Sequence, residues 1–340
     1  MKIVIAGAGS IGCYCGALLA DAGHDVTLLG RARVLDSVRA QGLTVTDFSG
    51  LHRHFSADAL TLAEDPACLS QAELVIVTVK SGATRDMADA IAQFAPPSIP
   101  VLSWQNGMEN ARILRAALSD HDVRAGMVPF NVVPSEPAAF HRATSGEVVI
   151  QGGPGALGQR LSSSDLPVVE SDDMDAVQWG KLVINLNNAL NALSGLTLKD
   201  QLLNRDWRRL MADQMDEALT VLKAAGHSVA STTPLPAWMT PHILRLPTPL
   251  FTRIAARMLT IDPSARTSMA YDLMAGRPTE IDSLQGEIIR LGAQSGVPTP
   301  ICARVRALVE KAPKTALSPA KIRLRRPTEK PSKSRKSPLT

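Results

Sequence analysis

A chain of 340 residues, 45% of them hydrophobic, is long enough to bury more than one core, so two domains are expected and nothing points to a fibrous or disordered protein. No apolar run reaches the roughly 18 to 20 residues that a membrane-spanning helix needs, and glycines interrupt the opening MKIVIAGAGS where a signal peptide would be continuously apolar; a cytoplasmic protein away from membranes is expected. The formal net charge of +4 is uneven, because from Pro313 onward nine Lys or Arg face the single acid Glu329, which leaves +8 in that tail and −4 in the remainder.

In chain order, residues 2–6 form a short β-rich apolar run that meets Gly7, and a helical pattern follows over 11–22. Residues 25–29, 73–79 and 100–104 read as further strands, with helical patterns over 82–94 and 109–118. Buried strands alternating with helices argue for an α/β, mostly parallel and doubly wound sheet. Two more strands, near 123–127 and 148–151, complete this part before the turn Gly152-Gly153-Pro154-Gly155. After about Asp172 the strands stop, and helical patterns run over 174–193, 206–225, 250–259, 267–275, 280–295 and 301–311. The expected organisation is an N-terminal Rossmann domain over 1–170, a mainly α-helical C-terminal domain over 171–312, and a basic tail over 313–340. The tail is rich in Pro, Ser and Lys, so it is expected to be disordered beyond about residue 315, and a solvated tail is favoured over contact with nucleic acid.

Cys13, Cys15, Cys68 and Cys302 are too sparse for a disulfide framework and lack the CxxC spacing of a zinc site, so no metal is expected. For Cys13 and Cys15, packing at the helix start is favoured over a redox role.

The segment Gly7-Ala8-Gly9-Ser10-Ile11-Gly12 is G-x-G-x-x-G placed between a strand and a helix. In that setting the first glycine permits the tight turn, the second lets pyrophosphate approach, and the third lets the helix pack on the strand. The helix N-terminus, with Ser10 and Ile11 at its start, offers amides and a partial positive charge to phosphates. At the end of the second strand an NAD enzyme usually places an acid for the ribose 2′-hydroxyl, whereas here Leu28-Leu29 is followed by Gly30-Arg31-Ala32-Arg33. Arg31 is therefore the expected ligand of a 2′-phosphate, with Arg33 in reserve, and NADPH is the expected cofactor.

The stretch from Trp179 to Asn191 carries four asparagines in an apolar region, which helix propensity does not explain. At about 100° per residue, Lys181, Asn185 and Asn188 fall on one narrow helical face, and a binding face is favoured over a solvated polar stripe.

The chain resembles ketopantoate reductase, the NADPH-dependent 2-dehydropantoate 2-reductase of pantothenate biosynthesis, over roughly residues 1–312. The resemblance rests on GAGSIG with Arg31, VTVKS ending at Lys80 and Ser81, Gln105-Asn106-Gly107-Met108, the Trp179 to Asn185 segment, and Pro278-Thr279-Glu280-Ile281-Asp282. It implies that Lys181 and Glu280 are catalytic, that Asn185 and Ser268 bind substrate, that Asn106 stands near nicotinamide and substrate, and that Lys80 lines the cofactor cleft. Asn188 joins the substrate set because some members place a second asparagine eight positions after the lysine, where this chain has Ala189. The chemistry asks for such groups in its own right: hydride arriving at a 2-keto carbon leaves a developing alkoxide that needs positive charge and a proton, and a lysine provides both. Read without the resemblance, Glu280 serves equally well as a helix-start acid, and Ser268 reads as an ordinary helix-start residue.

The expected function is reduction of 2-dehydropantoate to pantoate with NADPH, on a small-molecule 2-keto acid, with a homodimer left open. The alternatives are a related NADPH-dependent 2-keto acid or imine reductase of the same fold, and a non-catalytic NADPH-sensing regulatory protein.

Overall fold

The computed structural model describes residues 1–231 and 235–311, together with Ile322. Its strands are β1 (Lys2–Ala6), β2 (Asp25–Leu29), β3 (Leu43–Asp47), β4 (His52–Phe55), β5 (Thr61–Ala63), β6 (Leu74–Val77), β7 (Pro100–Ser103), β8 (Asp122–Met127), β9 (Val132–Glu136), β10 (Ala139–Arg142), β11 (Val148–Gln151) and β12 (Val168–Ser171). Eight of them form one sheet in the order β12-β11-β8-β7-β6-β1-β2-β5, parallel throughout except where β11 runs against β8. Alternate residues of β1 show why both faces are covered. Ile3 and Ile5 join the core under the Ser10–Asp21 helix, and Val4 and Ala6 join the core under the Thr84–Phe94 and Glu109–Ala117 helices. The chain leaves β1 for β2 on one side and returns to β6 on the other, which makes the β1/β6 boundary the topological switch point where an open α/β sheet binds ligands.

A second sheet, β4-β3-β10-β9, was not anticipated from the sequence. Its central pairing joins β3 to β10 in parallel, Val45 opposite Phe140, across a long stretch of chain, so no local turn announces it. The buried Asp47 secures it, accepting from Ser49 and Leu51 amides and from Arg142 at 2.5 Å. Arg142 in turn lies over the rings of Tyr14 and Phe130, tying this sheet to the first helix. Cys13 and Cys15 are packed in the same helix, where burial pushes the Cys13 thiol up to about 12 and raises Cys15 as well.

Beyond β12 the described chain is helical, around one core to which Leu190, Ala212, Met215, Ala218, Leu222, Ile288 and Val305 contribute. The long Arg205–Ala224 helix opens on Asn204, whose side chain accepts from the amides of Asp206 and Trp207. One turn in, the buried Arg208 guanidinium donates to the carbonyls of Leu202 (2.7 Å), Leu244 (3.0 Å) and Leu246 (2.9 Å), gathering two helix C-termini onto a single cation. Ile322, from the basic segment, is buried in this core, so the expectation of disorder does not hold at that residue; the remainder of that expectation lies outside the described residues. Among the described residues no helix is long and apolar enough to cross a membrane.

Two helical expectations are corrected. The run over 174–193 is two helices, Met174–Asn185 and Asn187–Ser194, separated at Leu186. The Leu186 carbonyl accepts from the buried Gln285 amide at 2.8 Å, and this bond from a distant segment stabilises the break. Gln285 itself sits in a π-helical turn, Asp282–Gly286, that interrupts the expected helix before Glu287–Ser295.

Candidate active site

At the end of β1 the chain turns so tightly that Gly7 adopts φ +128°, and a Cβ there would lie 2.7 Å from the Val79 amide nitrogen. The turn is held by Gly7 N donating to Leu29 O at 2.9 Å and by Thr78 Oγ1 donating to Gly7 O at 2.7 Å. Gly12 presses against the same turn, since its Cβ would lie 2.1 Å from Gly7 O. Gly9 is the opposite case: among the described residues beyond its own chain neighbours, nothing lies within 4 Å of a Cβ built on it. The Ser10–Asp21 helix begins there with no side-chain cap and no acid in its first turn, so its first amides and the positive end of its dipole face open space. Ser10 and Ile11 are half-buried, and Ile11 packs on the core beneath. Gly30 brings the end of β2 against this turn, its Cβ position 2.4 Å from Ala8 Cβ. Arg31 follows, exposed and with no side-chain hydrogen bond or ion pair among the described residues, and Arg33 is exposed on the first turn of the Ala32–Gln41 helix. These residues fit a dinucleotide: the Gly9 gap and uncapped amides suit a pyrophosphate, and an exposed guanidinium beside β2 suits an anionic ribose.

Across the switch point, β6 delivers Thr78, Val79 and Lys80. A buried amide network anchors the turn after β7 to them. Gln105 Nε2 donates to Val79 O (2.9 Å) and to Thr84 Oγ1 (2.7 Å), and Thr84 Oγ1 donates to Asn110 Oδ1 (2.8 Å). Asn110 Nδ2 then donates to Ser81 Oγ (3.0 Å) and to the Asn106 carbonyl (2.6 Å), which fixes the backbone of Asn106 and leaves its side chain free to reach Glu280 Oε2 at 3.4 Å. The motif around Gln105 was visible in the sequence, but the anchoring by Thr84, Gln105 and Asn110 was not, because it depends on three segments meeting.

The Met174–Asn185 helix presents Gln178, Lys181, Leu182 and Asn185 to a cleft closed on the other side by Asn106, Gly107, Gly126, Met127 and Val128. Gly180 allows this helix to approach the chain at Ala230, whose carbonyl oxygen would be 2.0 Å from a Cβ. Lys181 Nζ donates to Pro129 O at 2.7 Å, and burial pushes its ammonium down to about 8. Glu280 is half-buried; burial raises its carboxyl pKa, against the lowering pull of the Asn106 hydrogen bond and of Lys80, while Asp272 raises it further.

The structure therefore brings Lys181, Asn185 and Asn106 to one cleft and joins Glu280 to it through Asn106. Lys181 and Glu280 do not hydrogen-bond each other, so direct orientation of the lysine by the acid is not what the geometry shows. Asn188 is not in the cleft lining: beyond the break at Leu186 it lies on the next helix, where its carbonyl accepts from Thr267 Oγ1 at 3.1 Å. Ala189 is fully buried and brings no polar atom to the cleft. Ser268, exposed at the start of the Ser268–Met274 helix, also stands outside the lining, although its neighbour Thr267 is tied to Asn188 and, through its amide, to Asn191 Oδ1 (3.1 Å). Asn187 and Asn191 bond Gln201, which accounts for half of the asparagines as core structure. Gln178 is a cleft residue that sequence reasoning missed, although the helical spacing 178, 181/182, 185 carried the signal.

Residues 3–158 match the family model of ketopantoate reductase PanE/ApbA, and residues 173–312 match that of the ketopantoate reductase PanE/ApbA C terminal part. The chain belongs to the ketopantoate reductase PanE/ApbA family. It is similar to the 2-dehydropantoate 2-reductase of Halobacterium salinarum, at 27% identity over 321 residues that cover 92% of this chain and 99% of the relative. The corresponding enzyme of Bacillus subtilis is 25% identical over 305 residues, covering 87% and 92% of the two chains. Among solved structures, the PanE/ApbA family ketopantoate reductase from Ralstonia eutropha superposes with a TM-score of 0.77 at 32% identity, covering 95% of this chain and 99% of that one. A ternary structure of D-mandelate dehydrogenase with NADH and anilino(oxo)acetate shares the fold at a TM-score of 0.75 and 22% identity, covering 95% and 99%. Membership makes the chain an oxidoreductase of a Rossmann-fold family that binds NAD(P)H, and the ketopantoate reductase fold of sheet domain then helical domain is the one described above.

Proposed function

We propose that this chain reduces 2-dehydropantoate to pantoate with NADPH, using residues 1–170 for the cofactor and 171–312 for the substrate. The observation that carries this reading is the placing of Lys181 and Asn185 on one side of a cleft whose other side is Asn106, at the edge of the switch point. Gly7, Gly9, Ser10, Ile11 and Gly12 would hold the pyrophosphate, Arg31 the 2′-phosphate, and Lys80 and Asn106 the nicotinamide end. Bound there, the dihydronicotinamide supplies the hydride. Lys181 stands as the positive charge and proton donor for the oxygen of the 2-keto group, and a pKa near 8 keeps it protonated yet willing to give up that proton near neutral pH. Glu280, through Asn106, orients the hydroxyl that forms, and Asn185, which lines the cleft, hydrogen-bonds the rest of the substrate, while Ser268, outside the lining, would reach it only if its helix moved toward the cleft. Asn188 is set aside from this group in favour of Asn185.

One observation favours a second reading. Ala189 removes an amide that some ketopantoate reductases have, and D-mandelate dehydrogenase, which shares the fold, is a structure with an aromatic ligand and NADH. A 2-keto acid with an aromatic side chain is therefore the sharpest competitor. The deciding experiment measures kcat/KM for 2-dehydropantoate and for such an acid, each with NADPH and with NADH. The proposal expects 2-dehydropantoate with NADPH to lead by at least about tenfold, the low end of what a methylene-sized difference in a pocket gives. A preference for the aromatic acid would overturn it.

A further inference from the structure

Asp272 lies on the Ser268–Met274 helix of the helical domain with its side chain only 10% exposed, and it receives two cations. Arg277 Nε, from the same domain, donates to Oδ1 at 2.9 Å. Lys80 Nζ, from the end of β6 in the sheet domain, donates to Oδ1 at 3.1 Å and to Oδ2 at 3.0 Å. A carboxylate this buried needs its charge met, and Arg277 meets it from within its own domain. Lys80 is in a different position. Its side chain is 64% exposed and Asp272 is its only hydrogen-bond partner among the described residues, so the pair is what keeps that ammonium at the helical domain.

Elsewhere the two domains are also joined by Asn131 Nδ2 donating to Arg266 O at 2.8 Å and Lys181 Nζ donating to Pro129 O at 2.7 Å, but at the switch-point loops the second bond runs from Asn106 to Glu280 and reaches the same short stretch of the helical domain. Residues 272–280 therefore carry both contacts to the switch-point loops, Asp272 to Lys80 and Glu280 to Asn106. The bond to Glu280 is long, at 3.4 Å, and the ion pair is the shorter and charge-assisted one.

We infer that Asp272 is a positioning residue: by holding Lys80 it draws this edge of the helical domain against the switch-point loops, and so keeps Glu280 facing Asn106 at the mouth of the cleft. A protein whose binding-competent, closed arrangement is populated only in part shows an affinity reduced by that fraction, whereas the rate from the closed complex is unchanged. Loss of the ion pair is thus a KM effect more than a kcat effect, which separates it from loss of a group that touches the reacting atoms.

The kinetic side of this inference rests on the proposed reduction of 2-dehydropantoate; its conformational side does not. The test is a double-mutant cycle of Asp272→Asn and Lys80→Met in the full-length chain, read by NADPH-dependent turnover of 2-dehydropantoate and by small-angle X-ray scattering of the ligand-free protein. Asp272→Asn should raise the KM for the keto acid roughly three- to tenfold with kcat changed less, and each single variant should increase the radius of gyration, the readout that decides for Lys80→Met because Lys80 also belongs to the proposed cofactor site. The double variant should be no worse than Lys80→Met alone, because Asp272 acts through Lys80. Multiplying KM effects, or unchanged scattering in both singles, overturns the inference. If Asp272→Asn fails to fold, Lys80→Met decides alone, since an exposed lysine is expendable for folding, and unchanged scattering in that variant rejects the latch. Absence of turnover with 2-dehydropantoate in the unmutated enzyme rejects the functional reading and leaves the scattering comparison to decide the latch.

Discussion

The two ends of the cleft are built in opposite ways. The nucleotide turn comes from one continuous run, Gly7 to Gly12, in which a positive φ, a close contact and an open approach follow in succession. The substrate end is assembled from segments near residues 80, 106, 127, 181 and 280, which meet only because the sheet and the helical bundle pack together. A site built on local geometry should fail through its backbone, and a site built by convergence should fail through the chemistry of single side chains.

Lys181→Ala tests the convergent end and should show the largest effect. Its kcat should fall by about 10² to 10⁴, the range for losing a positioned acid, while NADPH affinity measured by fluorescence stays near normal. The pH profile sharpens this. With the ammonium pushed down to about 8, activity of the unmutated enzyme should fall as pH rises through that value, because the proton donor is lost, and the alanine variant should lack this limb. Near-normal turnover in the variant removes Lys181 from the chemistry and turns attention to Lys80.

Gly9→Val tests the local end. The missing Cβ faces open space, so the fold should survive with an unchanged melting temperature, but NADPH and NADH should both bind about a hundredfold more weakly as the valine fills the pyrophosphate approach. Gly12→Ala at the other end of the same turn should instead destabilise the protein, since its Cβ would lie 2.1 Å from Gly7 O. Equal behaviour of the two variants would remove the distinction drawn between an open and a closed glycine.

Arg31→Ala should give the smallest of these effects. Its side chain is exposed and bonds no other described residue, so folding should be unaffected, and the preference for NADPH over NADH should narrow about tenfold, the loss of one charge-assisted contact. An unmutated enzyme that uses both cofactors equally well would show that Arg31 reads no phosphate.

The sequence by itself determined the features that depend on neighbouring residues. The strand, glycine turn and helix at residues 2–21, the alternation of strands and helices through β8, and the change to helices after β12 all follow from short-range periodicity and turn chemistry, which a linear reading captures. The face holding Lys181 and Asn185 was legible for the same reason, since one helical turn separates them. Only the tertiary structure decided the rest. The β3/β10 pairing, the Gln285 bond that stabilises the break at Leu186 and turns Asn188 away, and the two bonds from residues 272–280 to Lys80 and Asn106 each join residues from about 95 to almost 200 positions apart. No local signal encodes such meetings, because each arises when separately stable layers bury their faces against one another and bring together polar groups that must then find partners.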